Sequence, residues 1–139
     1  MAVREVIFRA KRKDNGEWVY GVPLKEGYSQ DVEMLWYEYG SLAYTERVKV
    51  LPETVGQYTG LTDKNGKKVF EGDIVKVYDN FDCVGETLYV GKVQWDDTFL
   101  NWELITNKRT VGQLKDIPSV LYYEVIGNVF DNPELLEVK

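Results

Sequence analysis

The chain has no histidine and a single cysteine, Cys83. Without histidine there is no Ser-His-Asp or Cys-His relay and no imidazole ligand for a metal. One cysteine excludes an intrachain disulfide and a thiolate-bound zinc. Long apolar runs are missing too: no segment approaches the roughly 20 residues that cross a bilayer as a helix. Nothing matches Gly-x-x-x-x-Gly-Lys-Ser/Thr, so no phosphate-cradling loop is legible. Met1–Glu5 lacks the basic and apolar regions of a signal peptide, and with the lone cysteine this points to a reducing cytoplasm. Positive charge is in short supply. Seventeen Lys and Arg face 23 Asp and Glu, for a net charge of −6. A bulk attraction to nucleic acid or to an anionic membrane is therefore not expected.

What is present is apolar and aromatic. Hydrophobic residues make up 44% of the 139 and aromatics 14%, enough for one folded domain or two small ones. Charge is distributed unevenly. Residues 1–13 are basic through Arg4, Arg9, Lys11, Arg12 and Lys13. Residues 14–46 are acidic, with Lys25 the one cation among seven carboxylates. The basic cluster reads as an exposed strand end running into a turn, with phosphate contact as the functional alternative.

Period-two alternation dominates, broken by Gly, Asn and Asp. Val6–Ala10 and Glu17–Val22 read as strands around Asp14-Asn15-Gly16, a hairpin turn signal because Asn and Gly tolerate positive φ. Pro23 is expected to end the second strand. Met34–Tyr39 and Leu42–Val50 form a second pair turning at Gly40-Ser41. Pro52 and Glu53 suit one short helical turn. Further strands are expected at Gln57–Leu61, Gly72–Tyr78, Glu86–Trp95, Phe99–Thr106 and Val120–Phe130. Pro133–Glu137 reads as a short helix with Asn132 at its cap. Asn15-Gly16-Glu17-Trp18-Val19-Tyr20 and Asn65-Gly66-Lys67-Lys68-Val69-Phe70 share one turn-strand pattern. The expected fold is mostly β: an N-terminal β-hairpin region over 1–55, then a small SH3-like β-barrel with a short C-terminal helix over 56–139. The barrel rests on fold-level analogy, since Glu71-Gly72-Asp73-Ile74-Val75 before an alternating strand is common in such barrels.

Three segments, in this order and spacing, carry a resemblance. They are Phe8-Arg9-Ala10 with Trp18-Val19-Tyr20-Gly21, the long run from Pro52 to Val75, and Val125–Leu135. Together they resemble the YopX family, small proteins encoded by bacteriophages and prophages. Lys11 departs from the pattern, in which many members carry Trp after Phe-Arg-Ala. The resemblance implies a mostly β fold and the cytoplasm of an infected or lysogenic bacterium. It implies no particular activity and carries over no catalytic or binding residue.

Each motif has a structural reading beside its functional one. Gly56, Gly60 and Gly72 are expected at turns needing positive φ, and Asp73 is expected to accept backbone N–H bonds at the start of a strand. Asp96-Asp97 suits a hairpin turn better than a metal site, and Asp79-Asn80-Phe81-Asp82 fails calcium-loop spacing. Acidic neighbours leave Cys83 inert. No metal, cofactor or catalytic residue is assigned. The aromatics are the best functional clue: Met34–Tyr39 and Val120–Phe130 are apolar on both strand faces, whereas a small antiparallel sheet usually keeps one face wet. Trp36, Tyr37, Tyr39 and Tyr122 are the candidate interaction face, with a host or phage protein, or a second copy of the chain, as partner. The alternative is a nucleic-acid-binding barrel, with Trp95, Trp102 and Tyr122 stacking on bases and Arg9, Lys11, Arg12 and Lys13 on phosphates. A hydrolase using Asp73, Asp96 or Glu103 alone ranks last.

Overall fold

The structure, a computed structural model, describes residues 6–37, 45–79, 86–106, 109–113 and 121–136, with backbone only at 36, 37, 45, 46, 79, 86–88, 109–111 and 121. The described strands form two antiparallel sheets, and the only helical segments among them are two short 3-10 turns. The chain divides into two compact units, 1–58 and 59–139.

The first unit contains β1 (Phe8–Lys11), β2 (Trp18–Leu24), β3 (Val32–Tyr37) and β4 (Thr45–Val50). The β1–β2 connection shows the expected chemistry. Gly16 has φ +74°, and the Asn15 side chain accepts the Glu17 N–H at 2.9 Å. β1 pairs with β2 as far as Phe8 opposite Gly21, after which β2 pairs with β3 from Val22 opposite Leu35. Gly21 is thus the corner at which β2 changes neighbours, and a Cβ there would lie 2.0 Å from the Leu35 carbonyl oxygen. Pro23 does not end β2; it sits inside the strand opposite Met34. Beyond Gly21 the described strand has a neighbour on one side only, so a missing N–H is tolerated.

β4 returns toward β1. Arg12 bridges Val50, Lys13 N–H donates to the Lys49 carbonyl and Leu51 N–H to that of Lys11, each at 2.9 Å. The curled sheet encloses Ala10, Val19, Met34, Val48 and Val50, with Phe8, Val32 and Val55 packed against them. The 3-10 turn Pro52–Thr54 forms where Pro52 and Glu53 suggest it. Thr54 fixes it to β1 by accepting the Lys11 N–H at 2.9 Å. The first residues of β5 (Gly56–Thr62) then pair with β1. Gly56 lies buried in that strand opposite Arg9, without the positive φ expected of it.

The second unit holds the rest of β5, β6 (Lys68–Phe70) beside it, and a five-stranded sheet. That sheet runs β10 (Arg109–Gln113), β9 (Asn101–Thr106), β8 (Glu86–Asp96), β7 (Asp73–Asp79), β11 (Leu121–Asn128). Val69, Val75, Val77, Val93, Leu104 and Val125 form its core, and Leu61, Tyr89, Trp102 and Tyr123 pack around them. Burying each of the larger side chains contributes about 1.5–3 kcal/mol before the entropy cost. Val19 and Val69, equivalent in the two turn-strand units, lie in the two separate cores.

Neither sheet closes into a barrel among the described residues, so mostly β stands without the barrel. The tail forms a single 3-10 turn over Pro133–Leu136. Asn132 directs its side-chain oxygen back to the Asn128 N–H at 3.3 Å, and its own carbonyl accepts the Leu135 N–H at 3.1 Å. The expected strand from Phe99 begins only at Asn101, because Phe99 and Leu100 belong to the turn. Gly40-Ser41, Asn80–Asp82 and Cys83 lie outside the described residues.

Candidate functional site

Of the three acids a carboxylate-only hydrolase would use, Asp73 and Asp96 are occupied with structure, and Glu103 sits half-buried on β9 opposite Gln94. Asp73, 1% exposed, accepts the Phe70 N–H at 2.7 Å, the role expected for it. Gly72 beside it has φ +88°; its N–H donates to Val93 O at 2.9 Å and its carbonyl accepts from Val129 N at 2.8 Å. Glu71-Gly72-Asp73 is therefore a joint of the fold, with both faces of its backbone in use. Gln57–Gly60 is similar: Tyr58 N–H bonds to the Ile7 carbonyl, and the buried Thr59 hydroxyl donates to the Val69 carbonyl at 2.8 Å. Asp96 accepts the Thr98 N–H at 2.9 Å, closing the hairpin turn. Among the described residues no group of three or more Cys, Asp or Glu is placed to hold a metal ion.

The basic cluster forms a shallow cleft of about 400 Å³ in the first unit, lined by Arg12, Lys13, Asp14, Arg47, Val48 and Lys49. It lies where β4 meets the end of β1, which brings Arg47 and Lys49 beside residues from the N-terminal turn. The cations there are already engaged. Arg12 grips Asp14 through two hydrogen bonds of 3.0 and 2.9 Å, and that bond holds the Asp14 carboxyl below its ordinary pKa. Arg47 donates to Glu26, which raises the guanidinium pKa, and lies 3.9 Å from Glu33. Lys13 and Lys49 both approach Asp31, at 3.8 and 3.6 Å. Upstream, Arg9 and Lys11 lie over the Trp18 ring, 4.7 and 5.6 Å from its centroid. A phosphate would have to displace carboxylates from most of these groups.

The predicted aromatic face is split between the two units. Trp36 and Tyr37 are neighbours on β3 opposite Glu46 and Thr45, with only their backbone described, and Tyr39 lies outside the described residues. Tyr122 is on β11, 40% exposed, opposite Tyr78; the two rings are 6.2 Å apart. Lys64 and Lys76 lie over the Tyr78 ring at 4.7 and 5.6 Å. Trp95 and Trp102, the proposed base-stackers, instead meet each other across β8 and β9. Their rings make an edge-on contact at 4.9 Å, and Trp102 also packs on the core.

The exposed apolar surface lies elsewhere. Tyr20 and Val22 alternate outward on β2, and Tyr28 projects from the following loop. Phe99 and Leu100, at the tip of the β8–β9 hairpin, are 76% and 70% exposed. The signal for the tip was present in the sequence: an apolar pair between Asp96-Asp97-Thr98 and Asn101. Alternation alone assigns the pair to the expected strand Phe99–Thr106.

These features define a two-unit, all-antiparallel β protein whose distinctive acids and glycines serve its fold and whose apolar side chains are left outward at strand faces and a hairpin tip. The chain belongs to the YopX family: the family model described as YopX protein matches residues 7–137. Among solved structures it is similar to protein EF1440 from Enterococcus faecalis, at 26% identity and a TM-score of 0.59, over 96% of this chain and 99% of that one. No curated protein matches it significantly. No helix among the described residues is long and apolar enough to cross a membrane.

Proposed function

We propose that this chain is a non-enzymatic protein-interaction module, an accessory protein of a bacteriophage or prophage acting in the cytoplasm of its bacterial host. One observation carries the reading: large apolar side chains, Tyr20, Val22, Tyr28, Phe99, Leu100 and Tyr122, stand outside both cores while Asp73 and Asp96 are bound into the fold. Tyrosine and other aromatics in such positions are the usual anchors of protein interfaces. The predicted residues Trp36, Tyr37 and Tyr39 extend the candidate surface in the first unit. The test is retrieval of the tagged chain from phage-infected cells, with and without nuclease. A stoichiometric protein that survives nuclease supports the reading, and bait recovered alone or as a second copy refutes a heterologous partner.

A nucleic-acid reading rests on the cationic cleft alone. It requires an affinity for single-stranded DNA that falls steeply with salt. Because the cations are paired with Asp14, Asp31, Glu26 and Glu33, no measurable binding is expected even at low salt.

A further inference from the structure

The β8–β9 hairpin ends in a four-residue turn, Asp97-Thr98-Phe99-Leu100. Everything beneath the tip is fixed. Trp95 and Trp102 lock the strands together, Asp96 pairs with Asn101, and the Asp96 carboxylate closes the turn on the Thr98 N–H. At the tip the local rule is broken. Leu100 has φ +53°, the one non-glycine residue with positive φ among those described. That region favours Gly or Asn, because a Cβ crowds the following carbonyl. A hairpin turn ordinarily fills such a position with Gly, Asn or Asp, yet here it holds Leu100, 70% exposed, with Phe99 beside it 76% exposed. Scattered exposed apolar residues are unremarkable. The turn needs the positive φ, but nothing in it needs a leucine there or a phenylalanine beside it.

We infer that the Phe99-Leu100 tip is a docking knob that inserts into an apolar pocket, rimmed by lysine or arginine, on a different protein. This rests on the interaction-module reading above and names its surface. The rim follows from charge. Asp97 is exposed beside the tip, and Asp96 and Glu103 are half-buried below it; none of the three enters an ion pair among the described residues. Uncompensated carboxylates around an apolar knob repel phosphate, whether in a nucleic acid or a lipid surface, and attract a basic rim. The cationic cleft is no such seat for a second copy: it has Val48 as its one apolar wall, and its cations are held by the chain's own carboxylates.

The test places a photo-crosslinking p-benzoylphenylalanine at Phe99 and, as a control, at the exposed Lys25, which belongs to no candidate surface, in the full chain expressed in its host. The expected result is one predominant protein adduct from position 99 that is at least tenfold weaker from position 25. Its crosslinked peptide should lie in an apolar pocket with Lys or Arg at the rim. Equal adduct ladders from both positions, a lipid or nucleic-acid adduct, or an adduct with a second copy would overturn the inference. Leu100→Asn separates docking from folding: retention of the crosslinked partner should fall at least tenfold while the unfolding midpoint holds or rises. A parallel fall in both would show that Leu100 serves the fold. If the Phe99→Asp chain still retains the wild-type partner, the knob is refuted while the interaction module stands. If the wild-type chain retains no partner, the module reading itself falls.

Discussion

Asp63 is the residue whose removal should be felt furthest from its own position. Its side chain is almost fully buried and accepts three backbone N–H groups. One oxygen takes Asn65 and Lys67, each at 2.9 Å, and shapes the β5–β6 turn; the other takes Val125 on β11 at 3.0 Å. Two residues away along β11, the Tyr123 carbonyl accepts the Lys64 N–H at 3.1 Å, and the Tyr123 hydroxyl donates to the Thr62 carbonyl at 2.7 Å. β11 ends the five-stranded sheet, so this turn occupies part of an edge that would otherwise expose unpaired backbone. Bonds to a charged acceptor contribute about 1.5–3 kcal/mol each, but the Asn65 and Lys67 N–H groups sit in an exposed turn where water replaces the carboxylate. The buried Val125 N–H has no such substitute, and stranding it costs about 1–3 kcal/mol on its own. Asp63→Ala should therefore destabilise the second unit by about 3 kcal/mol. Asp63→Asn should cost about 2 kcal/mol, since one oxygen still serves the turn while an amide NH2 faces Val125. Urea unfolding followed by tryptophan fluorescence measures both, and amide exchange at Val125 should accelerate in step. A loss below about 1 kcal/mol for Asp63→Ala, with Val125 exchange unchanged, would refute the reasoning.

Three further outcomes follow from packing. Gly21→Ala should cost more than about 3 kcal/mol or abolish soluble expression, because the new methyl group meets the Leu35 backbone and not a movable side chain. Gly27→Ala is its control: open space but φ +53°, for a loss of about 1 kcal/mol in the same melts. Leu104→Ala, at a core position 2% exposed, should cost about 3 kcal/mol by the same assay. Burial raises the Tyr89 phenol above its ordinary pKa, so the folded state favours the neutral ring. That contribution is complete below the ordinary phenol range and is lost as pH rises through the folded pKa. Stability measured at about pH 11 should therefore decline less, relative to about pH 8, in Tyr89→Phe than in the wild type.

The strands were legible wherever local chemistry decides them. The Asn15-Gly16 and Asn65-Gly66 turns both place glycine at positive φ, at +74° and +79°, and the alternation after each buries Val19 and Val69. Pro52 started its short turn as expected. Errors arose where a distant segment decides. Pro23 is tolerated inside β2 because pairing with β1 has already ended at Gly21, which no local pattern reveals. Gly56 was read as a turn residue, yet β1 recruits it into a strand. The barrel is not legible for the same reason: alternation specifies which face of a strand is buried, but closure depends on twist and on which edges meet. β6 follows the Asn65-Gly66 turn as that turn-strand pattern implies, whereas β10 escapes the pattern because a Gly112-containing strand gives too few alternations to read.

The candidate surface was harder to read because exposure is a global property. Alternation marked Trp36, Tyr37, Tyr39 and Tyr122 as suspect for being apolar on both strand faces, yet Tyr122 lies against Tyr78 and is only partly outward. The charge clusters misled in the opposite sense. The basic run at residues 9–13 looked available, yet Arg12 pairs with Asp14 two residues on, the fold brings Asp31 back to Lys13, and Arg9 and Lys11 lie over the Trp18 ring. Asp96 and Asp97 looked like ordinary turn residues and Glu103 like a strand residue, and no local pattern reveals that none of the three enters an ion pair among the described residues. Pairing across the fold therefore reverses the electrostatic reading: Arg12, Lys13, Arg47 and Lys49 are engaged by carboxylates of the first unit, while Asp96, Asp97 and Glu103 near the apolar tip meet no cation among the described residues. A partner chosen by charge should carry the basic surface itself. Its affinity should fall with added salt because rim charges are screened, whereas the contribution of Phe99 and Leu100, being apolar burial, should persist.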